Sequence, residues 1–223
     1  MFSFYNLAIN KKTITDDLYN HLIKSLRFKV GDCFYFFDDE KEYLCQILSI
    51  GKDVASYDIQ EEHLIIQKNK PFITLIQGYP KGEKIDFICK YATIFNVQEI
   101  IFVYMKRSIP KVGDNSHKLK RLQSIILEAV TIAHRRSVPK VSIVNNLKDL
   151  DLNSYNSVYL LDENEKTHHQ IKKEERIAII VGPEGGIDDS ERQILSKSCT
   201  KVSLGENILT TESAALAILA LFL

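Results

Sequence analysis

The chain has 223 residues, 45% of them hydrophobic and 26% charged, with nine Gly and five Pro, which fits one large or two small globular domains and excludes collagen, coiled coils and disordered polymers. Basic and acidic residues balance at 29 each, so no whole-chain field favours nucleic acid and any electrostatic argument must be local. The four cysteines (33, 45, 89, 199) form no CxxC pair and do not cluster with the six histidines at metal-ligand spacing, so reduced thiols and no metal are expected.

In chain order, MFSFYNLAINKK carries its charges after the apolar stretch, unlike a secretory signal. FSFYNL, CFYFF (33–37), EYLCQIL (42–48), VASYDI (54–59) and HLIIQ (63–67) are short aromatic or β-branched runs, separated by DDEK, GKD and EE, which read as turns. Between the first two, Leu18, Leu22 and Leu26 at i,i+4 spacing predict a helix with Thr15 as its N-cap. Several short strands of this kind are most economically closed into a small barrel, which removes exposed edges. After a solvated link at QKNKP (67–71) the rhythm lengthens. Strands are predicted at 72–78, 99–105, 140–144, 157–161, 176–181 and 201–204, and helices at 84–95, 116–136, 189–197 and from about 212. Strands alternating with helices mean an α/β domain with a mostly parallel sheet. The longest apolar run, AALAILALFL at 214–223, is ten residues, short of the about 20 that span a bilayer; a soluble cytoplasmic protein is expected, with this run buried in the core and across a two-fold interface.

Charge is unevenly placed. Residues 104–140 hold nine basic residues against Asp114 and Glu128, a net +7, so the remainder, with 20 basic and 27 acidic, carries −7. Such a patch can hold a polyanion with strongly salt-dependent affinity; a merely solvated helix face is the bland alternative. Within the long helix Leu119, Leu122, Ile126, Ala129 and Ala133 form a core-facing stripe, and His117, Arg121, Ser124, Glu128, Thr131 and Arg135 form a polar one that could face a cleft.

Two turns carry chemistry. The apolar strand at 176–181 runs into Gly182-Pro183-Glu184-Gly185-Gly186, after which Asp188 and Glu191 resemble a capping box. Glycines there let backbone approach a ligand or adopt positive φ, at the strand ends where open α/β sheets bind ligands. The second strand exit, Leu204-Gly205, leads through Ile208 and Leu209 to Thr210 or Thr211 as a helix cap. Together they could line a cofactor slot, with backbone groups reading an adenine edge and apolar walls beside it. No GxGxxG, Walker A or GxSxG motif occurs, which argues against dinucleotide oxidoreductases and covalent hydrolases. His168-His169 sits in a polar run that reads as a solvated loop.

Taken in order, HLIKSLRFKVGD (21–32), KGEKIDFICKYATIFNV (81–97), KRS (106–108), RLQSIILEAVTIAHRRSVP (121–139), GPEGGIDDSE (182–191) and LGENILTTESA (204–214) resemble the family of ribosomal RNA small-subunit methyltransferase E. The resemblance implies an α/β fold with a PUA-like β-barrel RNA-binding domain at 1–68 and a SPOUT methyltransferase domain at 69–223 whose last segment threads a trefoil knot. It further implies a homodimer that uses S-adenosylmethionine to methylate N3 of a uridine near the 3′ end of 16S RNA, position 1498, in the 30S subunit, with no DNA and no membrane. On this pattern Leu160, Gly182, Glu184, Gly185, Gly186, Leu204, Gly205, Ile208 and Leu209 hold the cofactor. Arg107, Arg135 and Glu128 are the catalytic candidates, and Arg27, Lys106, Lys118, Lys120 and Arg121 face RNA. The chain departs from the family at Thr210, where an arginine is usual, and at Ile132 and Ala133, where Gln and Ser are usual. The rival reading is a non-catalytic RNA-binding module of the same fold.

Overall fold

Alternation of inward aromatic and outward polar residues shapes the N-terminal sheet. In the computed structural model, which describes residues 2–6, 9–65, 71–165 and 171–223, five strands make it: β1 (Ser3–Tyr5), β2 (Thr13–Thr15), β3 (Cys33–Phe37), β4 (Lys41–Ile50) and β5 (Val54–Leu64). Their order is β1-β3-β4-β5-β2, with β1 parallel to β3 and the other pairs antiparallel. Phe34 and Phe36 of β3, Tyr43, Cys45 and Ile47 of β4, and Ala55 and Tyr57 of β5 point into one core with Phe4, Ile14 and Leu22. Register shifts at Leu44/Cys45 and Ile47/Ser49 bend β4, as bulges do, and the sheet curls into a half-barrel. Among the described residues its ladder stays open between β1 and β2.

The early helix differs from its expectation. Asp16 takes φ +56°, and Thr15 Oγ1 donates to the Asp16 carboxylate instead of capping the backbone. The result is one α-turn, α1 (Asp16–Tyr19), continued by a π-helical turn at Asn20–Ser25. Leu22 is nonetheless fully buried, with Leu18 and Leu26 packed around it. A second difference is β5, a single strand where two runs divided by EE were expected. Beyond Ile59 its residues face solvent, so the glutamates decorate the outer side of a continuous strand.

The chain divides into two compact units: Met1–Gln67 with Val130–Val138, and Lys68–Ala129 with Pro139–Leu223. In the second unit six strands, β6 (Phe72–Gly78), β7 (Glu99–Val103), β8 (Lys140–Val144), β9 (Ser157–Leu161), β10 (Arg176–Val181) and β11 (Thr200–Val202), form a sheet of order β11-β9-β10-β6-β7-β8. Every pair in it is parallel. β6 and β10 lie at its centre and are buried on both faces, which is why they read as unbroken apolar runs. From β6 the chain moves to β7 on one side, and from β10 it moves past β9 to β11 on the other, so the direction of winding reverses between these two neighbours. Ligands in open α/β sheets bind at such a reversal, beyond the carboxyl ends of the strands.

Four helices accompany the sheet: α2 (Lys84–Ile94), α3 (Ser116–Ile132), α4 (Asp189–Leu195) and α5 (Thr211–Ala220). α3 stops four residues short of the expected end. His134 adopts φ +50°, and the amides of His134 and Arg135 turn back onto the Thr131 and Val130 carbonyls. Leu122, Ile126 and Ala129 are buried as the apolar stripe requires. Among the described residues no helix is long and apolar enough to cross a membrane.

Candidate functional site

Three strand exits and two helix starts enclose a cleft of about 590 Å³ in the second unit. β9 contributes Leu161, Asp162 and Glu163, β10 contributes Val181 to Gly186, and β11 contributes Val202 to Leu209; α2 adds Lys84, and α5 its first residues with Thr210.

The 182–186 turn is shaped by its own packing. Gly186 has φ +71° and its amide donates to the Pro183 carbonyl at 2.9 Å. A Cβ on Gly182 would lie 2.8 Å from Ile187 Cγ1, and one on Gly185 would lie 3.0 Å from both the Cβ and the carbonyl oxygen of Arg107. Across from them, Gly78 ends β6 so close to Pro183 that a Cβ would meet its ring at 2.5 Å. These glycines therefore let the β6 and β10 exits and the Arg107 loop close on one another. Gly205 is different: φ is +121° and a Cβ there would meet nothing within 4 Å, so its freedom serves the backbone path of the β11 exit.

Beneath the turn lies a buried polar clamp that motif reading did not find. Gln77 is fully buried; its Nε2 donates to Thr211 Oγ1 at 2.8 Å and to the Gly182 carbonyl at 3.2 Å. Thr211 Oγ1 in turn donates to the Gly182 carbonyl at 2.5 Å. Thr210 fills the N-cap of α5, accepting from the Ser213 amide. So of the two adjacent threonines one caps the helix and the other fastens it to β10.

The capping box at α4 is half formed. Asp188 accepts from the Ser190 amide at 3.1 Å, and hydrogen bonds from Ser190 hold its carboxyl below the usual range. Glu191, however, is buried and accepts from the Lys106 amide at 2.9 Å. Lys106 Nζ bonds Asp188 and Ser190. Arg107 donates from Nη1 to the Gly185 carbonyl at 3.3 Å and stands 3.8 Å from Asp188. The KRS segment and the GPEGGIDDSE segment are thus one structural feature.

On the β9 side, Asp162 is a buried carboxylate held by Arg192 Nε at 3.0 Å and Lys201 Nζ at 3.4 Å; Arg192 also reaches Glu163 and Asp189. Lys84 Nζ donates to Glu212 at 2.8 Å and lies 3.7 Å from Glu184. The hydrogen bond to Glu212 raises the Lys84 ammonium above its ordinary pKa. Burial pushes the Glu212 carboxyl up, but the hydrogen bond from Lys84, a backbone hydrogen bond and the Lys84 charge together outweigh it and hold the group below its ordinary value.

Of the expected cofactor residues, Gly182, Glu184, Gly185, Gly186, Leu204, Gly205, Ile208 and Leu209 all line the cleft. Leu160 does not: it is fully buried in the sheet core, and the lining begins at Leu161. Ile208 is 89% exposed, an uncovered apolar wall. Among the charged candidates only Arg107 contacts the cleft turn directly by its side chain. Glu128 is exposed and paired with Lys90 at 3.0 Å, and Arg121 is paired with Asp86; both tie α3 to α2. Lys118 places Nζ 5.3 Å from the ring centre of Tyr79, which stacks on Tyr104 at 4.3 Å. Lys120 is exposed. In the first unit, Arg27 is exposed with φ +59°. Arg135 is buried there, its Nη2 donating to Ser137, and burial lowers its pKa to about 10. His168 and His169 lie outside the described residues. All four cysteines are free, and among the described residues no group of three His, Cys, Asp or Glu is placed to hold a metal.

A family model for an RNA methyltransferase domain matches residues 67–223, and one for an RNA methyltransferase PUA domain matches 14–55. The ribosomal RNA small subunit methyltransferase E of Rickettsia conorii is 30% identical over 96% of this chain and 90% of the relative. Its Bacillus subtilis counterpart is 26% identical over 92% and 86%. The crystal structure of the small subunit methyltransferase E from Neisseria gonorrhoeae bound to S-adenosyl methionine is 27% identical, covers 99% of this chain and 96% of that one, and superposes with a TM-score of 0.85.

Proposed function

Because the chain belongs to the RNA methyltransferase family, we propose that it transfers a methyl group from S-adenosylmethionine to 16S ribosomal RNA, at N3 of uridine 1498, within the 30S subunit. The observation that carries this reading is the cleft, whose glycine-bearing strand exits coincide with the reversal in sheet order. Its volume falls in the range of about 300–1,000 Å³ common to small-ligand sites. The residues present fit the donor: backbone groups at 204–209 for an adenine edge, Ile208 and Leu209 as apolar walls, and charged side chains at Lys84 and Glu184.

When bound, S-adenosylmethionine supplies an electrophilic methyl group on a cationic sulfur. Uridine N3 carries a proton, and its lone pair becomes nucleophilic only as that proton leaves, so charge accumulates on the uracil oxygens. A fixed cation near those oxygens stabilises the transition state more than the ground state. Arg107, half-exposed and bound to the Gly185 carbonyl, is our candidate for that role. Arg135, buried in the first unit, is proposed to shape the RNA-binding surface from behind, and Glu128 to hold α3 on α2 through Lys90. The domain at 1–68 then supplies RNA affinity with Arg27, and the domain at 69–223 supplies chemistry with Lys106, Lys118, Lys120 and Arg121 along its basic face.

The same reading includes a trefoil knot formed by the last segment, a homodimer and a cytoplasmic location. The return of the chain from edge strand β11 to the centre of the sheet, where Thr211 meets Gly182 and Gln77, supports the knot. Leu221 and Leu223, 55% and 71% exposed, supply apolar surface for a dimer. The deciding experiment is incubation with labelled S-adenosylmethionine and 30S subunits from a strain lacking the modification, followed by nucleoside analysis. Label in 3-methyluridine is expected. RNA binding without transfer would leave the non-catalytic module in its place.

A further inference from the structure

Among the described residues lining the cleft, Lys84 is the sole cation. Of its three donors, one is used at Glu212 (2.8 Å) and a second points to Glu184 (3.7 Å), which leaves a third for a ligand. Glu184 is asymmetric in the same sense. Its Oε1 accepts from the Lys81 amide at 3.1 Å and faces Lys84, whereas its Oε2 is buried with no hydrogen-bond partner. A buried carboxylate oxygen without a donor is costly and rare. The other cleft carboxylates differ: Asp162 is enclosed by Arg192 and Lys201, Glu163 is bound by Arg192, and Glu206 is exposed.

An ammonium donor in want of an acceptor thus stands beside a carboxylate oxygen in want of a donor. An α-amino acid group complements both at once. We propose that Lys84 and Glu184 form the subsite for the amino-acid tail of the methyl donor, Lys84 taking its carboxylate and Glu184 Oε2 its ammonium. This rests on the methyl-donor reading of the cleft. It assigns Lys84 a binding role and Glu184 a specific partner within the ligand.

Two neutral thioethers separate the tail from the rest of the ligand: S-adenosylhomocysteine carries it and methylthioadenosine does not. Calorimetry on the intact chain with Lys84→Met and Glu184→Gln should show S-adenosylhomocysteine binding weakened about tenfold by each change, with methylthioadenosine held within about twofold. Lys84→Arg should recover part of the loss. Glu184→Gln is isosteric and keeps an acceptor for the Lys81 amide, so it decides the matter if Lys84→Met melts early. Equal losses for both ligands, or none for S-adenosylhomocysteine, would overturn the assignment. If the unsubstituted protein bound neither compound, the donor reading of the cleft would fall first and the subsite with it.

Discussion

A methyl group added to Gly182 would press on Ile187 at 2.8 Å and on the backbone of Gly186 at 3.4 Å. Overpacking of this kind costs about 1–3 kcal/mol, so Gly182→Ala should lower the melting temperature by several degrees before any question of ligand affinity arises; differential scanning calorimetry without ligand measures it. The glycines of this turn were legible in the sequence as glycines, but their reason was not. Contact with Arg107, Ile187 and Gly78 comes from segments up to 104 residues away, and no local pattern encodes it. Gln77 and Asp162 were missed for the same reason, since a polar residue at the end of an apolar strand announces burial only when its partners are known. The Lys84–Glu212 pair gives a pH signature. Glu212 has a depressed folded-state pKa, so its contribution is present above the ordinary value of 4.5 and is lost as pH falls through the lower folded value. Lys84, being raised, contributes fully below 10.5 and loses its contribution as pH rises through its higher folded value. Glu212→Gln should therefore melt below the unsubstituted protein at pH 7, with the gap closing well below pH 4.5 and also in strong alkali. A gap that stays constant across the acid limb would show that the ion pair is not its cause.

At the scale of elements, α5 is joined to the sheet at its first residue. Thr211 donates to Gly182 and accepts from Gln77 in a buried setting. Thr211→Val keeps the shape but removes both of its hydrogen bonds, leaving Gln77 Nε2 on the Gly78 and Gly182 carbonyls, at a cost of about 0.5–1.5 kcal/mol for each bond lost. The expected outcome is a lower unfolding midpoint together with weaker S-adenosylhomocysteine binding, because the α5 start forms part of the cleft. Unchanged binding in the folded variant would limit the clamp to stability. The strands of the second unit were readable because central parallel strands are uninterrupted apolar runs. The less regular elements resisted for physical reasons. The glutamates of β5 read as a break because half the strand faces water. The leucine spacing predicts a more regular α1 than forms, because Asp16 adopts a left-handed conformation that L-residues seldom take. Ala133, Arg135 and Arg136 are all good helix formers and predict a later end for α3, while the actual stop lies in the backbone at His134.

For the molecule as a whole, neutrality hides a division of labour in charge. Several basic residues of the +7 segment already have partners: Arg121 with Asp86, Arg136 with Glu42, and Lys106 with Asp188. The field available to RNA is smaller than the count suggests. Lys120 is exposed, and Lys118 divides its charge with the Tyr79 face. Lys120→Gln should reduce the slope of log K against log salt by about 0.7–0.9 and leave melting unchanged. Lys118→Gln should reduce the slope similarly and also lower stability, since a cation over an aromatic ring contributes about 0.5–2 kcal/mol. Filter binding across a salt series with 16S RNA checks both, and identical melting curves for the two variants would remove the ring contact from the account. The order β11-β9-β10-β6-β7-β8 has a further consequence in time. β10, made late in synthesis, fills the gap between β6 and β9, so the earlier strands leave the ribosome without the neighbour that joins them. Until residues 176–181 arrive, β6 presents an open flank to solvent or to a chaperone, and until Thr211 follows the cleft is incomplete. Ligand affinity is therefore the last property a nascent copy acquires, and its appearance can serve as a clock for the completion of folding.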